Sequence, residues 1–427
     1  MLTLKNFNVI RQEAVLSNGC RVVLFKRPNA PIYLTAHFFS GSRFDPKGKD
    51  GMAHYLEHML VAGTKNFKTK DKLAEYIEQY GGVFGAFTNG DELAVNVEIG
   101  DPKDLGIAIK VLNETLLNSL FSENTFNNEK RSIFKEIGDR NSNPSRRLWD
   151  VYRKLYFQNT PAGRYVLGTE ETLNSITNSD IIEFFKDKIT SGRMLLVASG
   201  GIDIKEVGKL SERELFVSKS PEFYLKDDLP IIRKDRIAIE KYKDQDQVHL
   251  MLGFRSGSIF DESNPALGVV ASVLGGGRAS TLVRKLRYEK GLVYNASASQ
   301  IKLSDSGTWA ISTSTSKDKV QEVINIITAE LNKVVENGLT EKEIAFAKNK
   351  IIKSKFLQMQ TSDDWVSFHS YPELVGKKGW TIIDHIEEIN SITNEGIIKA
   401  ARKIFLKDMW YLAMCGDIEQ QDVEVSL

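Results

Sequence analysis

The apolar residues of this chain recur with two different periods. Alternation with a period of two, as in VVLFKR and VHLMLGF, predicts half-buried strands. Apolar residues three and four positions apart, as in DKLAEYIEQY and VQEVINIITAELNKVVENG, predict amphipathic helices. Because both halves of the chain contain both patterns, the sequence predicts an α+β protein in which each domain is a mostly antiparallel sheet covered by helices.

The chain also repeats itself at an offset of 216 residues. NSITN occurs at 174–178 and at 390–394, and the same offset aligns AHFFSGSRFD with LGFRSGSIFD and MLLVASGGI with WYLAMCGDI. Three separated matches at one offset predict two homologous domains. We place them at residues 1–218 and 235–427, with a linker at 219–234 in which proline and charged residues are mixed.

Composition and charge narrow the class of protein. Lysine and arginine number 57 and aspartate and glutamate 56 among 427 residues, so no nucleic-acid or acidic membrane partner is expected. No run approaches the length of a membrane helix, and MLTLKNFNVI does not resemble a signal peptide, so we expect a cytoplasmic location. Cys20 and Cys415 are predicted to be buried, inert thiols in a reducing compartment.

One apolar helical stretch, GMAHYLEHMLVAG, is interrupted by ionisable residues. Its composition favours a helix over 51–61, and Gly63 offers a stop. At about 100° per residue, His58 lies about 40° from His54 and Glu57 about 60° to the other side, so the three share one face. Two such imidazoles can bind one Zn²⁺ with the glutamate beside it, whereas burying three unpaired ionisable groups would be costly. The order H-x-x-E-H is the inverzincin motif.

The repeat provides an internal comparison for this helix. At the offset of 216, the three ionisable positions align with Val270, Val273 and Leu274 in PALGVVASVLGGG. The equivalent helix of the second half is therefore apolar. The fold does not require ionisable residues at these positions, which favours a chemical role for them in the first half.

A catalytic zinc normally has three protein ligands, so a third must come from elsewhere in the chain. The helical pattern at 126–140 contains Glu129 and Glu136, which lie two turns apart and, with an offset of about 20°, share a face. Spacing alone leaves this pair open against Glu114, against Glu123, and against a solvated helix face.

GSRFDPKGKDGMAHYLEHMLVAGTKNF resembles the pitrilysin/insulinase family of zinc peptidases, in the short-chain branch that includes mitochondrial processing peptidases. The resemblance includes the upstream GSR, the G-x-A-H before the motif, the GT after the helix and the Glu-x₆-Glu spacing. It also includes LGTEETLNSIT in the first half and LGGGRASTLVRKLRYEKGLVYNASA in the second. These stretches together extend over most of the chain.

The resemblance implies a role for each residue of the motif. It makes His54, His58 and Glu136 the ligands of one Zn²⁺ per chain, and it makes Glu57 the general base. Glu129 becomes the nearby second carboxylate, which supports catalysis without binding the metal.

The resemblance also implies substrate-binding residues in both halves. Arg287 and Tyr294 match the family's Arg–Tyr element, which contacts the substrate near the scissile carbonyl. GGVFGAFTNG matches its substrate-binding edge strand, so Phe84, Gly85 and Ala86 are expected to bind the peptide backbone by β-augmentation. Gly85 stands where the family usually has Asn, so a side-chain contact from that position is not expected.

The function implied is a zinc-dependent endopeptidase acting on peptides or short unfolded polypeptides held as an added strand inside a closed chamber. A zinc-bound water would be the nucleophile, Glu57 would accept its proton, and Tyr294 with Arg287 would stabilise the oxyanion. Family members of this length pair two chains, so we expect a homodimer and, as the second possibility, a heterodimer with a related chain.

Two other interpretations compete with this function. Some relatives are non-catalytic structural or assembly subunits, although such chains typically lose part of the metal set, which is complete here. LGGGRAST at 274–281 could suggest a nucleotide-binding loop, but it lacks the G-x-x-x-x-G-K-[ST] spacing. Its glycines are instead predicted to support a tight turn and close packing.

Overall fold

In a computed structural model, the described residues of this protein form two sheets, of six and of five strands. Within each sheet one pair of neighbours is parallel and the others are antiparallel, and helices cover both sheets. The predicted α+β class is therefore confirmed. The structure describes residues 3–215, 217–223, 235–243, 245–406 and 409–426.

The strands alternate with helices along the described part of the chain. The strands are β1 (Ile10–Val15), β2 (Arg21–Lys26), β3 (Ile32–Phe38), β4 (Val83–Thr88), β5 (Leu93–Ile99), β6 (Met194–Gly200), β7 (Ile237–Lys241), β8 (Gln247–Ser256), β9 (Ala296–Lys302), β10 (Gly307–Ser316) and β11 (Trp410–Gly416). The helices are α1 (Met52–Val61), α2 (Lys70–Glu78), α3 (Leu105–Leu117), α4 (Glu123–Asn141), α5 (Pro144–Phe157), α6 (Glu170–Ser175), α7 (Asn178–Lys188), α8 (Ile204–Glu214), α9 (Asn264–Gly275), α10 (Val320–Asn337), α11 (Glu341–Gln358), α12 (Ser362–Leu374), α13 (Ile382–Ser391) and α14 (Asn394–Ile404). None of the helices in these ranges is both long and apolar enough to cross a membrane.

The chain divides into two compact units, each of which is described by itself. Unit 1 comprises the described residues within 1–138, 164–224 and 356–383. Unit 2 comprises the described residues within 139–163, 225–355 and 384–427.

Unit 1 is built on the sheet β1-β2-β6-β3-β5-β4. Side chains of alternate residues, among them Leu34, Ala36 and Phe38, are buried in a core shared with α1 and α3. Helix α12 packs on the opposite face, where the ring of Phe25 stacks on that of His369 at 4.3 Å between centroids. Strand β4 ends the sheet, so one of its edges pairs with no other strand in the described residues.

Unit 2 is built on the sheet β7-β11-β8-β10-β9. One face packs on α9 and α14, and helix α5 covers the other. The Tyr152 hydroxyl lies 2.6 Å from the hydroxyl of Thr308, and the Tyr156 hydroxyl donates to the carbonyl of Gly307 at 2.7 Å. These hydrogen bonds satisfy polar groups that α5 buries.

The sequence repeat reappears in the order of the elements. At the offset of 216 residues, β2 and β6 correspond to β7 and β11, and each of these pairs is parallel. The units do not coincide with the two halves, because α5 belongs to unit 2 and α12 to unit 1. The boundaries at 1–218 and 235–427 stay a prediction, and residues 224–234 of the predicted linker lie outside the described residues.

The two cysteines are both buried and free, as predicted. Cys20 lies in unit 1 and Cys415 in unit 2. Burial raises the pKa of each thiol to about 12, so both stay protonated and weakly nucleophilic at neutral pH.

Candidate metal centre

Helix α1 carries the HxxEH motif, and a buried aspartate sets where it begins. The carboxylate of Asp45 accepts hydrogen bonds from the backbone N–H groups of Gly51 at 2.8 Å and Ala53 at 2.9 Å. These donors belong to the first turn, where no helical partner is available. The aspartate of GSRFD therefore binds free N–H groups at the start of the helix and orients its first turn.

The LGT segment holds the start of α1 from the other side. Gly51 and Gly168 both have positive φ, of 96° and 71°, and their backbones pack closely. A Cβ on Gly168 would lie 2.2 Å from the carbonyl oxygen of Asp50, to which the Thr172 hydroxyl donates at 2.8 Å. The LGT of LGTEETLNSIT, a segment that resembles the family, therefore packs against the start of α1, where only glycine fits at position 168.

Aromatic packing brings α4 against α1. The Tyr55 ring stacks on that of Phe126 at 4.7 Å between centroids, and its hydroxyl donates to the carbonyl of Phe126 at 2.5 Å. Ile133 and Ile137 of α4 are buried in the same core. This packing turns the face that carries Glu129 and Glu136 toward the histidines of α1.

His54, His58 and Glu136 meet at one point. Nε2 of His54 lies 3.6 Å and Nε2 of His58 lies 3.5 Å from the carboxylate oxygens of Glu136. Each residue offers one ligand atom, and the three atoms lie within 4.8 Å of one another. Ordinary N–H···O hydrogen bonds are shorter, whereas ligands of a tetrahedral zinc, at about 2.0–2.1 Å from the ion, stand about 3.3–3.4 Å apart. The two imidazoles and the carboxylate therefore offer donors that Zn²⁺ prefers, at separations from which they can reach one ion.

Glu129 lies behind His58, on the side away from this cluster. Its carboxylate is 2.9 Å from Nδ1 of His58, and because an ionised carboxylate only accepts, Nδ1 carries the proton. Burial lowers the pKa of His58, but the contacts with Glu129 and Glu136 outweigh it and raise the pKa to about 9. This carboxylate–histidine pair leaves Nε2 free to face the metal position.

His54 is held in a different environment. Burial, together with the nearby charge of His58, lowers the pKa of His54 to about 4, although Glu136 acts in the opposite direction. Its Nδ1 is buried and has no hydrogen-bond partner among the described residues. The imidazole is therefore neutral at physiological pH and can donate a lone pair from Nε2.

Glu57 is the motif residue that does not join the cluster. Burial raises the pKa of its carboxyl group, while the Thr88 hydroxyl and His58 act in the opposite direction. A carboxylate with a raised pKa beside a metal position suits proton transfer. The sequence does not single out Thr88 as a site residue, although Thr88 is the threonine of the Ala-x-Thr in the predicted edge strand.

Of the glutamates that spacing left open, Glu136 is the one that lies beside His54 and His58. Glu114 is buried, and its carboxylate accepts hydrogen bonds from Thr64 at 2.6 Å and Asn66 at 2.7 Å. Glu123, in the first turn of α4, accepts from Asn178 at 3.2 Å. Neither belongs to the His–His–Glu cluster, and the bonds of Glu114 hold the loop after α1 in place.

Strand β4 contacts α1 and forms the edge of the sheet. Phe84 and Ala86 are half-buried against the core, whereas the neighbouring Val83 is 56% exposed. A Cβ on Gly85 would lie 3.3 Å from the side-chain oxygen of Asn96. An asparagine from the adjacent strand therefore stands where a side chain at 85 would project.

Arg287 and Tyr294 lie together in unit 2. The guanidinium carbon is 4.6 Å from the centroid of the tyrosine ring, and Tyr294 is 76% exposed. In the preceding LGGG stretch, a Cβ on Gly275 would lie 2.2 Å from the backbone nitrogen of Ala298, and Gly277 has a φ of 135°. These glycines allow close packing and a turn, as predicted.

Comparison with known proteins places the chain in a family. The family model described as "Insulinase (Peptidase family M16)" matches residues 21–170, and that described as "Peptidase M16 inactive domain" matches residues 175–351. The chain belongs to peptidase family M16. The match to the M16 inactive domain includes the helix in which apolar residues replace the HxxEH motif.

The M16 relatives extend over nearly the whole chain. An uncharacterized zinc protease of Bacillus subtilis is 28% identical over 400 residues, covering 92% of this chain and 95% of the relative. One from Rickettsia felis is 27% identical over 417 residues, covering 94% and 95%. Their names support a zinc peptidase family.

Solved structures share the M16 fold. The "peptidase M16 inactive domain" of Pseudomonas fluorescens has a TM-score of 0.87 at 19% identity, covering 95% of this chain and 98% of the other. A protease from Helicobacter pylori has a TM-score of 0.86 at 19% identity, covering 96% and 99%.

Proposed function

We propose that this chain is a zinc-dependent endopeptidase that hydrolyses peptides or short unfolded polypeptides. The observation that supports this most directly is the cluster of His54, His58 and Glu136, with Glu57 on the same helix but outside the cluster. Zn²⁺ held by these three residues would supply a Lewis acid that acidifies water and polarises a peptide carbonyl.

The side chains around the cluster have distinct tasks in this mechanism. Glu57 accepts the proton of the water molecule that attacks the carbonyl and passes it to the leaving amine. His54 remains neutral because its pKa is low, and Glu129 orients His58. Tyr294, with Arg287, donates to the developing oxyanion, a contact typically worth about 10²–10³ in kcat.

The open edge of β4 is proposed to receive the substrate. An extended peptide can pair with the backbone of Val83–Thr88, which asks little of the peptide's sequence. Phe84, Gly85 and Ala86 form the middle of this edge. Because Thr88 lies beside Glu57, a strand paired along β4 would approach the proton acceptor.

Two matched substitutions test the proposed roles. Glu57→Gln is expected to keep one zinc per chain and to lower cleavage of a mixed peptide library by at least about 10²-fold. Glu136→Gln is expected to lose most of the zinc, since it removes a charged ligand. Glu75→Gln, at an exposed position of α2, is the control and should change neither property.

The outcomes separate the proposal from its alternative. Full activity in Glu57→Gln would exclude Glu57 as the base, and stoichiometric zinc in Glu136→Gln would exclude that ligand. A wild-type chain that binds one zinc yet cleaves no peptide of the library would favour the non-catalytic, structural role.

We further propose that two copies of the chain form a homodimer and that the Arg–Tyr element acts across chains. Mixing Glu57→Gln with Tyr294→Phe tests this, because in a mixed dimer one site then has both residues intact. The expected result is recovery of activity well above that of either variant alone. No recovery in dimers shown to be mixed would mean that each chain uses its own tyrosine.

A further inference from the structure

The turn between β4 and β5 is held by hydrogen bonds to residues 41–43 and by hydrogen bonds within itself. Three consecutive backbone N–H groups, those of residues 41–43, donate to carbonyls of residues 89–91 at 2.9–3.1 Å. Asn89 also accepts hydrogen bonds on its side-chain oxygen from the N–H groups of residues 91 and 92, both at 3.0 Å. The backbone of the turn is therefore fixed both by hydrogen bonds from residues 41–43 and by hydrogen bonds to the side chain of Asn89.

A buried ion pair completes this attachment. Nη1 of Arg43 lies 2.6 Å from one carboxylate oxygen of Asp91, and the hydroxyl of Tyr371 donates to the other. Arg43 is 5% exposed and Asp91 is fully buried. A buried carboxylate that loses a donor is costly, so these three side chains strongly favour one position of the turn. We call Arg43, Asp91 and Tyr371 the turn clamp.

Glu92, the residue after Asp91, is also held by side-chain contacts. The Glu92 carboxylate accepts from the side-chain amide of Asn89 at 2.9 Å and lies 3.0 Å from Nδ1 of His37. The three side chains of the turn, those of Asn89, Asp91 and Glu92, therefore each have a buried or half-buried partner in unit 1.

Strand β4 is the edge strand of its sheet. Among the described residues it pairs with β5 alone, and Val83 and Phe87 are 56% and 38% exposed. Thr88, the last residue of β4, adjoins the clamped turn and lies beside Glu57. A displacement of the turn would therefore move the end of the edge strand that is nearest to the proposed base.

We propose that Tyr371 is a positioning residue for peptide binding, which acts through Asp91 to keep β4 in the alignment that receives a substrate strand. The inference rests on the proposed function, since it concerns the same edge strand. Tyr371 lies 280 residues beyond Asp91 in the sequence and belongs to α12. Peptide binding in the first half thus depends on a side chain from the second.

Tyr371→Phe tests the clamp because it removes one hydroxyl and preserves the ring. The matched control is Tyr33→Phe, which removes a hydroxyl beside Asp363 at another point of α12, away from the turn. Hydrogen–deuterium exchange provides a readout that does not require turnover. We expect exchange at residues 83–92 to rise about tenfold in Tyr371→Phe and to stay unchanged in Tyr33→Phe.

Two substrates separate positioning from general damage. A ten-residue peptide can pair along the whole of β4, whereas a four-residue peptide spans little beyond the scissile bond. In Tyr371→Phe we expect KM for the long peptide to rise at least about fivefold, with KM for the short peptide and the zinc content unchanged. Unchanged exchange at 83–92, or an equal rise in KM for both peptides, would overturn the proposal.

A binding measurement keeps this result distinct from failure of the proposed function. Fluorescence anisotropy of the labelled ten-residue peptide is measured in Glu57→Gln with and without Tyr371→Phe. Weaker binding in the double variant supports the clamp even if the wild type cleaves nothing, an outcome that would refute only the peptidase. Equal binding, or no binding in either, would refute the clamp.

Discussion

The contact between Glu129 and His58 allows a quantitative test of the metal centre. The carboxylate lies 2.9 Å from Nδ1 of His58, while Nε2 of the same ring faces Glu136 at 3.5 Å. Glu129→Gln preserves the size of the side chain and an oxygen acceptor but removes the charge. Its effect on zinc affinity should depend on pH, because two consequences of the substitution oppose each other.

Loss of the carboxylate behind His58 weakens zinc binding, whereas relief of proton competition at His58 strengthens it. Loss of a carboxylate behind a ligating histidine typically costs about 10–100-fold in metal affinity. In the metal-free wild type, however, a pKa of about 9 keeps His58 protonated at pH 7, so zinc must displace a proton. This competition lowers apparent affinity about 100-fold at pH 7 and about twofold at pH 9.

The zinc affinity of the wild type should increase with pH because the pKa of His58 is raised. A raised pKa retains the proton in the metal-free state, so the apparent zinc affinity of the wild type should rise with pH up to about 9. Replacing Glu129 moves the pKa of His58 toward 6.5, which relieves much of the competition at pH 7. We therefore expect a loss of about 5–50-fold at pH 9, where little competition is relieved, and a loss below about tenfold at pH 7.

Competition titrations with a chromophoric chelator at pH 7, 8 and 9 measure these differences. Glu123→Gln is the control, since Glu123 lies on the same helix but outside the cluster. The same loss at all three pH values would mean that Glu129 does not set the protonation of His58. No loss at pH 9 would mean that it does not support the ligand at all.

Two predictions concern the stability of unit 1, measured by chemical denaturation. Gly168→Ala should lower the free energy of unfolding by about 2–4 kcal/mol, because φ is positive and the new Cβ would lie 2.2 Å from a backbone carbonyl oxygen. The control Gly48→Ala, where φ is 80° but the space is open, should lower it by only about 1–2 kcal/mol. Equal losses in the two variants would refute the steric argument. Glu373→Gln should cost about 3 kcal/mol, because this fully buried carboxylate pairs with two arginines at 2.6 and 2.7 Å. Glu13→Gln, at a partly exposed partner of the same arginines, should cost below about 1 kcal/mol, and a larger loss there than in Glu373→Gln would contradict the role of burial.

Local periodicity predicted the fold class and one part of the site well. The helix over 51–61 is observed as Met52–Val61, and GGVFGAFTNG contains β4 as expected. Placing His54, His58 and Glu57 on one face required only the turn of a helix, which is a property of the backbone. The offset of 216 residues likewise aligned the stretches that form β6 and β11.

Sequence spacing could not identify Glu136 as the third candidate ligand. Glu136, Glu114 and Glu123 all occur in helical patterns, and their separation from α1 along the chain does not determine their separation in space. The stacking of Tyr55 on Phe126 brought α4 against α1, while hydrogen bonds engaged Glu114 elsewhere. The family resemblance had indicated Glu136, but no argument from the residues alone could select it.

The sequence by itself determined which residues lie on one helix face and which segments alternate as strands, because these depend on backbone geometry over a few residues. Only the tertiary structure decided that α5 and α12 each pack in the unit of the other half, and that Tyr371 reaches Asp91. Such contacts join residues hundreds of positions apart, and they depend on which apolar surfaces pack together. That choice leaves no periodic signal in the chain.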